Sequence, residues 1–97
     1  MTPSAMLARR AAAVKELLAR PEISGMPCCY DGLSARLIEQ AGFSVTFMSG
    51  FAVSAARLGL PDTGLISYGE MLDSGRNICA ATSIPVIGDG DTGYGNA

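Results

Sequence analysis

The sequence predicts an α/β fold built on a parallel sheet. Three observations carry this. Short apolar runs at Met26–Tyr30, Val45–Met48 and Ile84–Ile87 have the length of strands buried on both faces. Segments with helical spacing or helix signals separate them. The turn residues Gly, Asp and Ser fall where the apolar runs end. The order is helix, strand-helix, strand-helix, strand. A doubly wound open sheet and the opening of a (β/α)8 barrel both fit that pattern.

Each element has a local cause. From Pro3 to Arg20, Leu7, Ala11, Val14 and Leu18 recur at helical spacing, with Arg9, Arg10 and Glu16 elsewhere on the wheel. Pro21 stops this helix. After the first strand, Asp31 can cap a helix running through Leu33, Leu37 and Ile38, which Gly42 ends. After the second strand, Gly50 to Leu58 reads as a short helical or irregular piece, and Leu58 to Ile66 as a loop. Ser67 and Glu70 have capping-box spacing for a third main helix through about Ala80. The third strand then breaks into Gly88-Asp89-Gly90-Asp91.

Composition excludes several function classes. The chain has 97 residues, enough for at most one domain, with 48% hydrophobic and 16% charged residues, which suits a packed segment. Net charge is −2, so no nucleic-acid partner is expected. There is no histidine, which excludes a His-based triad or His-ligated zinc site in these residues. Three cysteines, two of them adjacent, do not form a disulfide framework and read as reduced thiols of a cytoplasmic protein. The weakly polar span from Ala41 to Ala56 is too short to cross a membrane. The Ala- and Arg-containing N-terminus lacks the apolar block of a secretory signal and reads as an ordinary first helix rather than a transit peptide.

The chemistry concentrates in Ser83–Ala97, S-I-P-V-I-G-D-G-D-T-G-Y-G-N-A. Asp89 and Asp91 stand two apart at a strand terminus. If extended backbone persists they face one side, where they repel unless a cation or proton sits between them. Hard oxygen ligands suit Mg²⁺, which takes one or two carboxylates and keeps several waters. The competing reading is that both are turn acids. An EF-hand loop fits less well, because Gly93 stands where that pattern wants an acid or Asn. Asp-Thr-Gly occurs twice, at 62–64 and 91–93, as in aspartic proteases, but the Ala-rich helical segments contradict an all-β fold.

Asp89-Gly90-Asp91-Thr92-Gly93-Tyr94-Gly95, together with Ser49-Gly50 and Leu58-Gly59-Leu60-Pro61-Asp62, resembles the isocitrate lyase and phosphoenolpyruvate mutase superfamily over roughly Gly25 to the last residue. The resemblance implies the barrel rather than the open sheet. Such a barrel needs about 250 residues, so residues 1–97 are expected to be one partial domain of a longer enzyme. Within it, 1–22 hold the N-terminal helix and 23–97 the first three barrel strands with their helices.

The resemblance also implies a site. Asp89 and Asp91 would hold Mg²⁺, with Mn²⁺ as a substitute. Ser49, Gly50 and Phe51 would border the substrate's carboxylate. Asp62 would lie near the metal's waters and the Tyr30 tip would reach substrate; these two are the catalytic candidates. The implied activity is carbon–carbon cleavage of a 2-hydroxy alkylmalate or methylisocitrate-type di- or tricarboxylate. Phosphonate mutase, oxaloacetate decarboxylase or hydrolase chemistry is the enzymatic alternative, and a non-catalytic remnant the other. The lyases' acid is a Cys in a mobile K-C-G-H loop, and Cys28, Cys29 and Cys79 sit in no such motif. These residues alone are therefore expected to be inactive. Relatives implied by the resemblance are homotetramers, so a homo-oligomer is expected.

Overall fold

The computed structural model describes residues 2–95. Its elements are α1 (Pro3–Ala19), β1 (Cys28–Cys29), α2 (Gly32–Gln40), β2 (Thr46–Met48), α3 (Gly50–Val53) continuing into a π-helical turn (Ser54–Leu58), α4 (Tyr68–Ala81) and β3 (Val86–Gly88). The three strands form one parallel sheet in the order β1-β2-β3. Cys28 pairs with Phe47, and Thr46, Phe47 and Met48 pair with Val86, Ile87 and Gly88. All three carboxyl ends therefore lie along the same margin of the sheet.

The helix signals act as expected. The Asp31 carboxylate accepts the Ser34 N–H at 2.7 Å, and Ser34 Oγ accepts the Asp31 N–H, closing a reciprocal cap on α2. Ser67 and Glu70 do the same for α4. Gly42 follows α2 at φ +96°, a conformation that L side chains rarely adopt.

Two strands begin later than their apolar runs. Pairing starts at Cys28, after Pro27, and at Val86, after Pro85, because proline has no N–H to donate. Each proline still contributes its carbonyl: Pro27 O accepts the Phe47 N–H and the buried Thr46 hydroxyl, and Pro85 O accepts the Thr46 N–H. β3 was expected to be buried on both faces but is only half-buried, since it pairs along one edge.

The core lies between the sheet and the helices. Cys29, Met48, Val53, Ile66, Met71 and Ile78 are buried in it with Ala35, and Ile38, Leu58, Val86 and Tyr94 pack against it. Burial pushes the Cys29 thiol up, so it stays protonated. By contrast α1 buries no residue. It is clipped on by Arg10, whose guanidinium donates to Cys79 O at 3.1 Å and Thr82 O at 2.6 Å. Arg36 Nε donates to Ala81 O, so two cations satisfy carbonyls at the end of α4. The Glu39 carboxylate then accepts the Thr82 hydroxyl and both the N–H and hydroxyl of Ser83, fastening the α4–β3 connection to α2.

Candidate functional site

The candidate site lies where β2 and β3 end. Ser49 leaves β2 and caps α3: its N–H donates to Cys29 O at 3.3 Å and its Oγ accepts the Ala52 N–H at 3.2 Å. Gly50, the first residue of α3, is buried. Asp89 leaves β3 with its N–H on Met48 O at 3.1 Å. This register sets the Asp89 side chain against the start of α3. Its Oδ2 accepts the Gly50 N–H at 2.8 Å and its Oδ1 accepts the Asp91 N–H at 2.9 Å. One carboxylate thus joins residues 39 apart in sequence to its own turn.

The extended backbone does not persist through this turn, which corrects the simple alternation expected for Asp89 and Asp91. β3 stops at Gly88, Gly93 N–H closes onto Gly90 O at 2.7 Å, and Asp91 takes φ +47°. Gly90 and the Asp89 carboxylate turn the chain, so the two acids are linked through a backbone N–H rather than by strand geometry.

The other expected residues are placed as follows. Asp62 is exposed in the connection between the π-helical turn and α4. Phe51 is 67% exposed on α3. Tyr30 follows β1 at 43% exposure, and its N–H donates to Ser34 Oγ. It lines a cavity of about 250 Å³ with Arg57, Ser74 and Asn77, whereas Asp89 lines another of about 500 Å³ with Met48, Tyr68 and Tyr94. Gly50 and Asp89 are therefore brought into direct contact, and Tyr30 opens into a separate hollow.

Tyr94 was not singled out from the sequence. Its ring is half-buried at φ +59° and packs on Tyr68, with centroids 5.7 Å apart and planes tilted by 54°. Burial lifts its phenol above the ordinary range, with further contributions from Asp91, Asp89 and Asp62. All three acids thus act on one hydroxyl. Two non-glycine residues with positive φ inside four positions were the feature that sequence could not show.

Residues 14–97 match the family described as phosphoenolpyruvate phosphomutase. The chain belongs to this family. The match takes in part of α1 as well as the sheet. Over 73 residues the chain is 55% identical to the chloroplastic carboxyvinyl-carboxyphosphonate phosphorylmutase of Arabidopsis thaliana, covering 74% of this chain and 22% of that one. It is 40% identical over 87 residues to the 2,3-dimethylmalate lyase of Eubacterium barkeri, covering 90% and 30%. The crystal structure of a phosphonopyruvate hydrolase in complex with oxalate and Mg²⁺ superposes with a TM-score of 0.83 at 36% identity, over 90% of this chain and 30% of that one. The chain therefore spans less than a third of the length of these relatives, and it matches the N-terminal part of their barrel-like fold. Lyases, mutases and hydrolases all occur in this phosphoenolpyruvate mutase and isocitrate lyase superfamily.

Among the described residues no group of three or more His, Cys, Asp or Glu side chains could hold a metal. Asp89 and Asp91 supply two carboxylates on one turn, which suits Mg²⁺ bound by one or two protein oxygens, water and substrate. Gly50 leaves room for the Asp89 carboxylate: a Cβ there would lie 2.5 Å from Asp89 Oδ2. The residues present fit such an ion as part of a shell. No helix among the described residues is long and apolar enough to cross a membrane.

Proposed function

We propose that the chain is the N-terminal part of a Mg²⁺-dependent carbon–carbon lyase acting on a small 2-hydroxy di- or tricarboxylate of the alkylmalate type. The observation that carries this reading is the Gly50–Asp89 hydrogen bond, which joins the ends of two neighbouring strands at the edge where a parallel α/β sheet presents its ligands. When bound, Mg²⁺ supplies positive charge to a substrate carboxylate and its adjacent hydroxyl, or to the charge that develops there. Asp89 and Asp91 hold and orient that charge. Mn²⁺ substitutes for it. Asp62 adds a third negative charge near the same turn, where it accepts hydrogen bonds from water. Ser49, Gly50 and Phe51 border the substrate's carboxylate, and Tyr30 guards the neighbouring strand end.

Transfer of the substrate hydroxyl proton to a general base lets the C–C bond break, and its electron pair leaves on the departing carbon, giving an α-keto acid and an enolate-like carboxylate that takes up a proton from a general acid. We assign that proton to none of the three cysteines: Cys29 is buried in the core, Cys28 does not line the Asp89 cavity, and Cys79, which lines it, stands in no K-C-G-H motif. The described residues therefore bind and orient without completing turnover. A single partial domain over residues 1–97, homotetrameric assembly and a reducing, cytoplasmic setting for the free thiols belong to the same reading.

The test is calorimetry with oxalate in the presence and absence of Mg²⁺. Mg²⁺-dependent oxalate binding supports the site; oxalate binding of equal strength without metal contradicts it. A phosphonate reading is favoured by the 55% identity to the phosphorylmutase. Turnover of a phosphonate substrate, with none of an alkylmalate, by the longer enzyme that contains these residues would select it over the lyase.

A further inference from the structure

We propose that Gly50 is a positioning residue for Asp89: it fixes the carboxylate with its N–H and, by having no side chain, leaves the space that carboxylate occupies. The inference rests on the reading of Asp89 as a metal ligand and adds a role for Gly50 within it. Gly50 N–H lies 2.8 Å from Oδ2, so this donor is already committed inside the protein. Asp91 N–H holds Oδ1 at 2.9 Å. Each oxygen therefore receives one backbone donor, which fixes the plane of the carboxylate and leaves a further lone pair on each oxygen. A methyl group at position 50 would meet Oδ2 at 2.5 Å and Cγ at 3.3 Å. Gly50 does not have positive φ, so the requirement for glycine here is space, not backbone conformation. Partners of this kind, which orient a ligand without touching the ion, change metal affinity by about 10–100-fold when removed.

The test uses Mn²⁺ as probe in the full chain, with free Mn²⁺ read by electron paramagnetic resonance. Gly50→Ala keeps the N–H and fills the space, and is expected to weaken Mn²⁺ binding by about tenfold or more. Glu22→Gln, at an exposed position lining a different cavity, is expected to leave it within about twofold. Folded Gly50→Ala that binds Mn²⁺ as tightly as the unsubstituted chain overturns the proposal. Because Gly50→Ala can fail to fold, amide resonances give an independent arm. In Asp89→Ala, which removes both acceptors, the Gly50 amide proton is expected to shift upfield and exchange faster, with the Ala52 amide unchanged. A Gly50 amide indifferent to Asp89→Ala also overturns the proposal. Absence of Mn²⁺ binding by the unsubstituted chain would instead remove the metal reading, and the amide result then decides the Gly50–Asp89 link alone.

Discussion

Neutralising Asp89 in the absence of metal opposes two effects of known sign. The carboxylate accepts one backbone N–H on each oxygen, from Gly50 at 2.8 Å and Asp91 at 2.9 Å. In Asp89→Asn one oxygen becomes an NH₂ group, which faces a donor and cannot accept. A hydrogen bond to a charged group contributes about 1.5–3 kcal/mol, and Asp89 is half-buried, so the loss belongs near the lower figure. Against this, removing one negative charge from beside Asp91 relieves repulsion. For exposed charges in water that relief is at most about 1 kcal/mol at close range and is screened further by salt. The hydrogen-bond loss wins. Asp89→Asn is expected to lower unfolding free energy by about 1 kcal/mol in metal-free urea titrations, and more at high salt. Asp89→Ala, which removes both acceptors, should cost more than Asp89→Asn. A metal-free Asp89→Asn chain more stable than the parent would refute the reasoning, because it would mean that charge repulsion, not the double bridge, dominates the turn.

Three further outcomes follow from the same geometry. Arg10→Ala removes both guanidinium contacts to the end of α4, and since α1 buries no residue it should accelerate amide exchange throughout α1 while leaving α2 and the sheet protected. Ile78→Ala, at a fully buried position on α4, should cost about 2–5 kcal/mol in chemical denaturation, a large share of what a chain this size possesses. Glu39 is held below its ordinary value of 4.5 by its hydrogen bonds to Ser83 and Thr82. A depressed carboxylate contributes stability above the unfolded value and loses it as pH falls through the folded value. Urea midpoints of Glu39→Gln should therefore fall less steeply than the parent's on acidification below about pH 4.5, and Glu70, depressed by Ser67, should keep the remaining slope.

Local chemistry was legible where a residue's partner is a few positions away. The cap at Asp31, Ser67 with Glu70, and Gly42 after α2 are short-range signals, and each acts as the sequence predicts. The strand ends were legible too, which placed Ser49, Gly50 and Asp89 on one edge. What was hidden depends on distant partners. The π-helical turn at Ser54–Leu58 is held where Arg57 reaches Glu70 O, Asp73 and Ser74, an arrangement that no local pattern announces. The left-handed backbone at Asp91 and Tyr94 was hidden because neither is glycine, and Tyr94 is seated by its packing on Tyr68 across the sequence. The early ends of the apolar runs at Pro27 and Pro85 were readable in principle, since proline cannot donate to a ladder.

The decisive measurement is a Mn²⁺ titration of the unsubstituted chain beside Asp89→Asn and Asp91→Asn, followed by electron paramagnetic resonance. A single saturable ion, displaced by Mg²⁺ and weakened by either substitution, is the predicted result. Binding that ignores both substitutions, or none at all in the full-length relative containing these residues, would contradict the assignment of this turn as a metal-holding edge.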